Sequence, residues 1–232
     1  MPMLSRLTLI PTALLFAASS LAQQEPPASK PAEVRWFEAP AAVYQARRVT
    51  AYEFSAAGYK YRIERTGLGA RSGGKSPAQS FDLHLSKGDV IQVFYYAEYE
   101  GDALLLFGAT NGVYGAGFVT RIGGAVPGIK WKQFIPAVNI GRGTIEGGFA
   151  YVSARNFIAK VNLRQGSYAW RHGGLGRGGA FLAFDPPEPD GERVVFREVR
   201  LPNRSARSIE VEKTSGRILS PAFLAQAEQE TH

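Results

Sequence analysis

Apolar and polar positions alternate with a period of two along most of this chain, in short runs closed by Gly, Pro, Asn or Asp. The clearest run is Gly148–His172. Phe149, Tyr151 and Ser153 alternate with Ala150, Val152 and Ala154. After Arg155-Asn156, the residues Phe157, Ala159, Val161 and Leu163 share one face, opposite Ile158, Lys160 and Asn162. Gln165-Gly166 then turns the chain into Ser167–Trp170. This is the pattern of antiparallel hairpins. The same reading predicts strands at Val34–Phe37, Arg48–Phe54, Lys60–Arg65, Phe81–Leu85, Val90–Tyr99, Ala103–Ala109 and Gly117–Ile122. It continues with Lys130–Ile135, Ala180–Phe184, Arg193–Val199, Ser208–Glu212 and Arg217–Leu219. Only Pro221–Glu230 has the Ala, Leu, Gln and Glu content of a helix. The predicted class is all-β.

An internal repeat sharpens this. Leu104–Phe107, Gly117–Ile122 and Gly128–Trp131 form one strand, strand, Gly, Trp series. Gly148–Ser153, Phe157–Leu163 and Gly166–Trp170 form a second. Arg193–Arg197, Ser208–Glu212 and Ser215–Leu219 form a third, with Leu219 where Trp would stand. A fourth unit closes at Arg65-Thr66-Gly67 without a Trp. The repeat over residues 103–220 resembles the blades of the PQQ-like (quinoprotein-type) β-propeller superfamily, whose blades end in a Gly turn followed by Trp. That resemblance implies four-stranded antiparallel blades with each Trp wedged between sheets. About 185 residues at roughly 40–45 per blade allow about four blades, so a small or incomplete propeller is expected. A β-sandwich or barrel is the structural alternative. PQQ-binding members use a longer chain, a Ca²⁺ site and often a vicinal disulfide. This chain has no Cys, so the resemblance implies no cofactor and points to the cofactor-free scaffolds of the bacterial envelope.

The N-terminus adds a destination. Arg6, the apolar stretch Leu7–Ala18 and Ser20-Leu21-Ala22 have the layout of a secretory signal over residues 1–22. The apolar stretch is short and contains Pro11, unlike a membrane span. Residues 23–32 read as a disordered leader, 33–220 as a single all-β domain and 221–232 as a short tail. A periplasmic or secreted protein is expected. The formal charge is +7, which favours anionic partners. Export makes nucleic acid an unsuitable one. The expected partner is an envelope protein or an anionic glycan or lipid, with self-association left open.

Two glycine motifs need their context. Gly69-Ala70-Arg71-Ser72-Gly73-Gly74-Lys75-Ser76 fits the phosphate-loop pattern, in which Gly69 and Gly74 would shape the loop, Lys75 would bind phosphate and Ser76 would hold Mg²⁺. Pro77 and the alternating Phe81–Leu85 leave no helix to follow it. It reads as a basic hairpin tip, with nucleotide binding the lesser alternative. Gly174–Gly179 fits GxGxxG but runs towards Pro186-Pro187, also without a helix. His84, His172 and His232 are too few for a His-rich metal site. The acids of Asp185–Glu192 have no calcium-loop spacing, so no metal is expected.

The binding candidates are Asn139, Arg142, Arg155, Asn156, Arg171, His172 and Arg177, all in or beside the loops of the clearest repeat. Trp131, Tyr151 and Trp170 would offer stacking faces, unless they are core. Two readings follow. One is a non-enzymatic envelope binding or scaffold protein. The other is a secreted enzyme acting on a polysaccharide or small molecule through Asp102, Glu146 or Asp185, which requires two of these carboxylates in one cleft.

Overall fold

The computed structural model describes residues 36–38, 41–45, 48–64, 67–72, 79–81, 83, 85, 89–137, 139–175, 184–199 and 207–220. The expected signal segment, leader and C-terminal helical tail lie outside these. Every regular element described is a β-strand. In chain order they are β1 (Phe37–Glu38), β2 (Ala41–Gln45), β3 (Arg48–Ala56), β4 (Tyr59–Glu64), β5 (Gly67–Ser72) and β6 (Gln79–Phe81). Next come β7 (Val90–Tyr99), β8 (Asp102–Thr110), β9 (Gly115–Gly123), β10 (Gly128–Ile135), β11 (Thr144–Glu146) and β12 (Phe149–Ala154). The last are β13 (Phe157–Asn162), β14 (Ser167–Gly173), β15 (Glu188–Asp190), β16 (Arg193–Arg197) and β17 (Ser208–Glu212).

They form four antiparallel sheets. The first is β2 to β6 in sequence order. The second is β7 to β10 with β1 added beside β7. The third is β11 to β14, and the fourth β15 to β17. No sheet closes into a barrel among the described residues. The all-β expectation of small antiparallel sheets therefore holds, and the sheets carry five, five, four and three strands instead of four each. The fourth gains two isolated bridges, Phe184 with Glu198 and Val211 with Ile218.

Three apolar layers join neighbouring sheets. Phe54, Tyr61 and Ile63 of the first sheet meet Phe94, Leu105 and Phe107 of the second. Leu104, Leu106 and Val119 of the second meet Ala150, Val152, Ala159 and Val161 of the third. Tyr151, Ile158 and Trp170 of the third meet Val194, Phe196 and Val211 of the fourth. Strand β8 explains why Ala103–Ala109 is apolar at nearly every position. Its alternate side chains enter different layers, and all seven residues except Gly108 are buried apolar groups. Each buried Leu or Phe stabilises by about 1.5–3 kcal/mol.

The outward faces of the end sheets are polar. On the fourth sheet Arg193 bonds Asp190 (2.8 Å) and Glu210 (2.9 Å), and Arg197 bonds Glu188 (2.8 Å). On the first, Arg62 bonds Glu53 (3.2 Å), and Ser55 and Lys60 are exposed. A further sheet laid on either face would have to dehydrate charges. Among the described residues no core joins the first sheet to the fourth.

The repeat is a repeated contact. Trp131 of β10 lies over Gly166, where an added Cβ would be 2.5 Å from the indole Cγ. Its Nε1–H donates to the Leu163 carbonyl (3.1 Å). Trp170 of β14 lies over Gly216 with the same 2.5 Å limit, and donates to the Lys213 carbonyl (3.0 Å). In both cases the acceptor stands three residues before the glycine. Both glycines have positive φ, +72° and +78°, and both close a turn by donating to the residue four back, Asn162 (2.8 Å) and Glu212 (2.9 Å). A bulge precedes each Trp, at Lys130 and at Ala169. It re-aims the ring towards the next sheet. Between the first and second sheets no Trp makes such a contact among the described residues, and Tyr59 of β4 makes a different one. Its hydroxyl donates to Ala125 (3.1 Å), three residues before Gly128.

Several strands differ from expectation. β2, β5, β6, β11 and β15 were not expected as such. Phe81–Leu85 was expected as one strand, but only Phe81 belongs to β6. Arg217–Leu219 reduces to a bridge at Ile218. In Ala180–Phe184 only Phe184 is described, also as a bridge.

Gly166→Ala and Gly216→Ala will each lower stability by about 2–4 kcal/mol, from left-handed strain and overpacking. Gly147→Ala has φ +55° but nothing within 4 Å, and will cost about 1 kcal/mol. Denaturant unfolding followed by circular dichroism separates them. A second expectation concerns Tyr61, whose buried hydroxyl has no hydrogen-bond partner among the described residues. Burial, then the charges of Tyr59, Asp102 and Glu98, push its pKa up to about 12. The folded state therefore holds this proton more tightly than the unfolded chain, whose tyrosine titrates near 10. That contribution is complete below about pH 10 and is lost as pH rises towards 12. Tyr61→Phe should flatten the loss of unfolding midpoint between pH 10 and 12.

Candidate functional site

Pairing gives the stack of sheets two distinct ends. One, the locked end, carries the turns at Ala57-Gly58, Glu100-Gly101, Gly124–Pro127, Leu163–Gly166 and Lys213–Gly216, of which the last two are held by the Trp contacts. The other carries the β8–β9 tip at Asn111–Tyr114 and the β12–β13 turn at Arg155-Asn156. Each predicted site residue can be placed with respect to these ends.

Asp102 stands at the locked end. It is 3% exposed and lies at the start of β8. Arg121 donates to it through Nε (2.5 Å), and Lys130 Nζ reaches both its oxygens (2.8 and 2.7 Å). Gly123 is required beside it, because an added Cβ would collide with the Asp102 carboxylate. Arg121 also donates to Glu100 (3.2 Å) and to the Leu163 carbonyl (3.0 Å). Its guanidinium covers the Tyr99 ring at 5.0 Å. Arg121 and Trp131 pair across β9 and β10, so a cation and an indole converge on one carbonyl of the third sheet.

The next interface repeats this. Lys160 pairs with Trp170 across β13 and β14, and its Nζ donates to Lys213 O (2.7 Å), the acceptor of the Trp170 indole. Lys160 is buried and its amine sits 4.1 Å over the Phe149 ring. Burial lowers its pKa, opposed by the Glu146 charge. Glu146 bonds Lys213 Nζ (2.7 Å). Asp185 is exposed beside the fourth sheet, and its N–H donates to Arg197 O (2.9 Å). Of the three acids of the enzymatic reading, Asp102 thus belongs to the second sheet and Glu146 to the third, while Asp185 lies beside the fourth. Asp102 and Glu146 serve as anchors for cations between strands.

The Arg-rich set divides. Arg155 N–H donates to Asn139 O (3.1 Å), and Asn156 follows in the turn with φ +57°, a conformation Asn tolerates. Leu175 N–H donates to Asn156 O (3.2 Å). Asn139, Arg155 and Asn156 therefore lie together at the tip end. Arg142 is exposed nearby, in the segment that follows the bridge of Ile140 with Ala154. Arg171 and His172 lie on β14, the opposite edge of the same sheet. Arg171 is exposed and covers the Tyr168 ring (5.4 Å). His172 Nε2 contacts Gly216 O (2.7 Å), which ties it to the fourth sheet. Arg177 lies outside the described residues.

Trp170 and Tyr151 are buried at 7% and 2% exposure, and Trp131 covers Gly166. The aromatic candidates are packing groups. Gly69 lies inside β5, paired with Arg62 on one side and Ser80 on the other. β5 and β6 form an antiparallel hairpin, whereas a phosphate loop requires a following helix. Gly74, Lys75 and Ser76 lie outside the described residues. No group of three metal-ligating side chains occurs among the described residues. A shallow cavity of about 320 Å³ in the first sheet is lined by Glu53, Phe54, Ser55, Lys60, Tyr61 and Arg62, and it contains none of the candidates.

Sequence reasoning missed the β8–β9 tip. Asn111 Oδ1 accepts from Val113 N (3.0 Å) and Tyr114 N (2.9 Å). Thr110 Oγ1 accepts from Gly112 N (3.0 Å) and donates to Tyr114 O (2.7 Å). Asn111 N–H also donates to Tyr114 O (3.1 Å). All four N–H groups of the turn are bonded within it, yet the Val113 and Tyr114 side chains are 80% and 77% exposed. The Asn111-Gly112 pair is the signal that would have located it.

Asp102→Asn will weaken a buried pair that Arg121 and Lys130 need, lowering stability by about 2–4 kcal/mol. Thermal unfolding tests this, and the double variant with Arg121→Leu should cost less than the two single changes combined.

No protein-family model matches this sequence, and no match to it was found among curated proteins.

Proposed function

We propose that this chain is an exported, non-enzymatic binding protein of the bacterial envelope. In this reading it is a short, cofactor-free blade stack of the quinoprotein type that engages an anionic envelope component through the rim of its third sheet. The signal-like N-terminus supports export, and the repeated Gly–Trp docking supports the kinship.

The observation that carries the reading is the distribution of charge. The chain is basic at +7, and much of its acid is engaged internally. Asp102, Glu100 and Glu146 hold cations within or between sheets, and Glu188, Asp190, Glu198, Glu210 and Glu212 pair on the fourth. Arg142 and Arg171 remain exposed on the two edges of the third sheet. Neither has an ion-pair partner among the described residues. Such arginines attract phosphate, sulfate or carboxylate, and salt screens the attraction.

The test is retention of the full chain on an immobilised sulfated glycan. The unaltered protein should be retained at low salt. Arg142→Glu with Arg171→Glu should elute at clearly lower salt with an unchanged unfolding midpoint. Equal elution of the two proteins would remove the reading.

A further inference from the structure

Building on the anionic-binding reading, we infer that the envelope component is an anionic lipid bilayer surface, and that the β8–β9 tip enters its interface through Val113 and Tyr114.

A segment entering a bilayer interface loses part of its water, so backbone groups already bonded within the turn enter at the lowest cost. Here the N–H groups of Asn111, Gly112, Val113 and Tyr114, and the Tyr114 carbonyl, all bond within the turn. Neither outward side chain takes part through its own atoms. These bonded groups can therefore lose water at little cost, and the side chains that the tip presents are a valine and a phenol. Tyr combines an apolar ring with a polar end, which suits the headgroup boundary.

Charge points the same way. No charged residue occurs from Ala103 to Thr120, so entry of the tip dehydrates no ion. Basic groups stand behind it at the same end. Ile140 packs on Gly117, where an added Cβ would be 2.9 Å from Ile140 Cγ1. That contact seats the Asn139–Arg142 segment beside the base of the tip. Phe134, half-exposed at 52% and paired with Phe118, adds apolar surface near this base. An apolar prong with arginine behind it matches a surface whose phosphates lie outside its apolar layer. The prong is convex, and its two anchors predict weak, reversible binding dependent on lipid charge.

The experiment uses the full chain and sedimentation with vesicles of phosphatidylcholine alone or with phosphatidylglycerol. The expected result is binding only to the anionic vesicles, weakened at least tenfold by Val113→Ser with Tyr114→Ser. Sulfated-glycan retention and the unfolding midpoint should be unchanged in that variant. Tyr114→Trp should show a blue-shifted tip fluorescence on the anionic vesicles. Vesicle binding that the serine variant leaves intact, or an emission that does not move in the Tyr114→Trp variant, overturns the insertion while the charge-based reading stands. Glycan retention by arginine residues without any vesicle binding does the same and directs the tip to a protein partner. Absence of both retention and vesicle binding in the unaltered chain removes both.

Discussion

Each inter-sheet contact in the second half of the molecule turns on one backbone carbonyl. Leu163 O and Lys213 O each accept an indole N–H and a cationic side chain from the preceding sheet, and the indole in turn covers a glycine three residues further on. A buried carbonyl has two lone pairs, and one donor leaves it under-satisfied. Here both are used, so the turn that supplies it has a fixed height and orientation. The glycine is the geometric counterpart, because only a residue without Cβ lets the ring approach. The bulge before each Trp aims the ring. Changing any one of the carbonyl turn, the glycine, the bulge or the indole disturbs the other three.

That constraint also organises the charged residues. Arg121 can reach Leu163 O because Asp102 and Glu100 hold it from behind, and Asp102 can be buried because Arg121 and Lys130 share its oxygens. In the following interface Lys160 reaches Lys213 O across Phe149, and Lys213 itself bonds Glu146. Asp102 and Glu146 read in isolation as candidate catalytic acids. In place they are cross-ties that let cations sit near apolar layers.

The longer strands β7, β9, β10, β12 to β14, β16 and β17 were legible by their alternation, and β8 by an unbroken apolar run between two turn signals. The Gly–Trp repeat was legible for the same reason, and Trp170 is the wedge it implied. Short strands were not. Thr144–Glu146 is too brief to show a period, Glu188–Asp190 contains a Pro that only an edge strand accepts, and Gly69 of β5 is the first glycine of the phosphate-loop pattern. The candidate site was only partly legible. Asn139, Arg155 and Asn156 do meet, through a backbone bond that side-chain identity does not announce. Arg171 and His172 lie on another edge, because β14 is the last strand of the sheet and Asn139–Arg142 runs beside β12 on its other side. The tip at Val113 and Tyr114 was hidden by its apolar neighbours in β8 and β9.

The polar outer faces of the first and fourth sheets have a consequence for how such a chain can change over time. Growth by duplication of a sheet at either end would meet charges instead of an apolar layer, so the array has a built-in stop. Change is instead directed to the loops opposite the tryptophans. Those loops carry none of the Gly–Trp contacts, and they can be lengthened, recharged or exchanged while the register of the sheets beneath them stays the same. The molecule is in this sense a fixed chassis with one editable end.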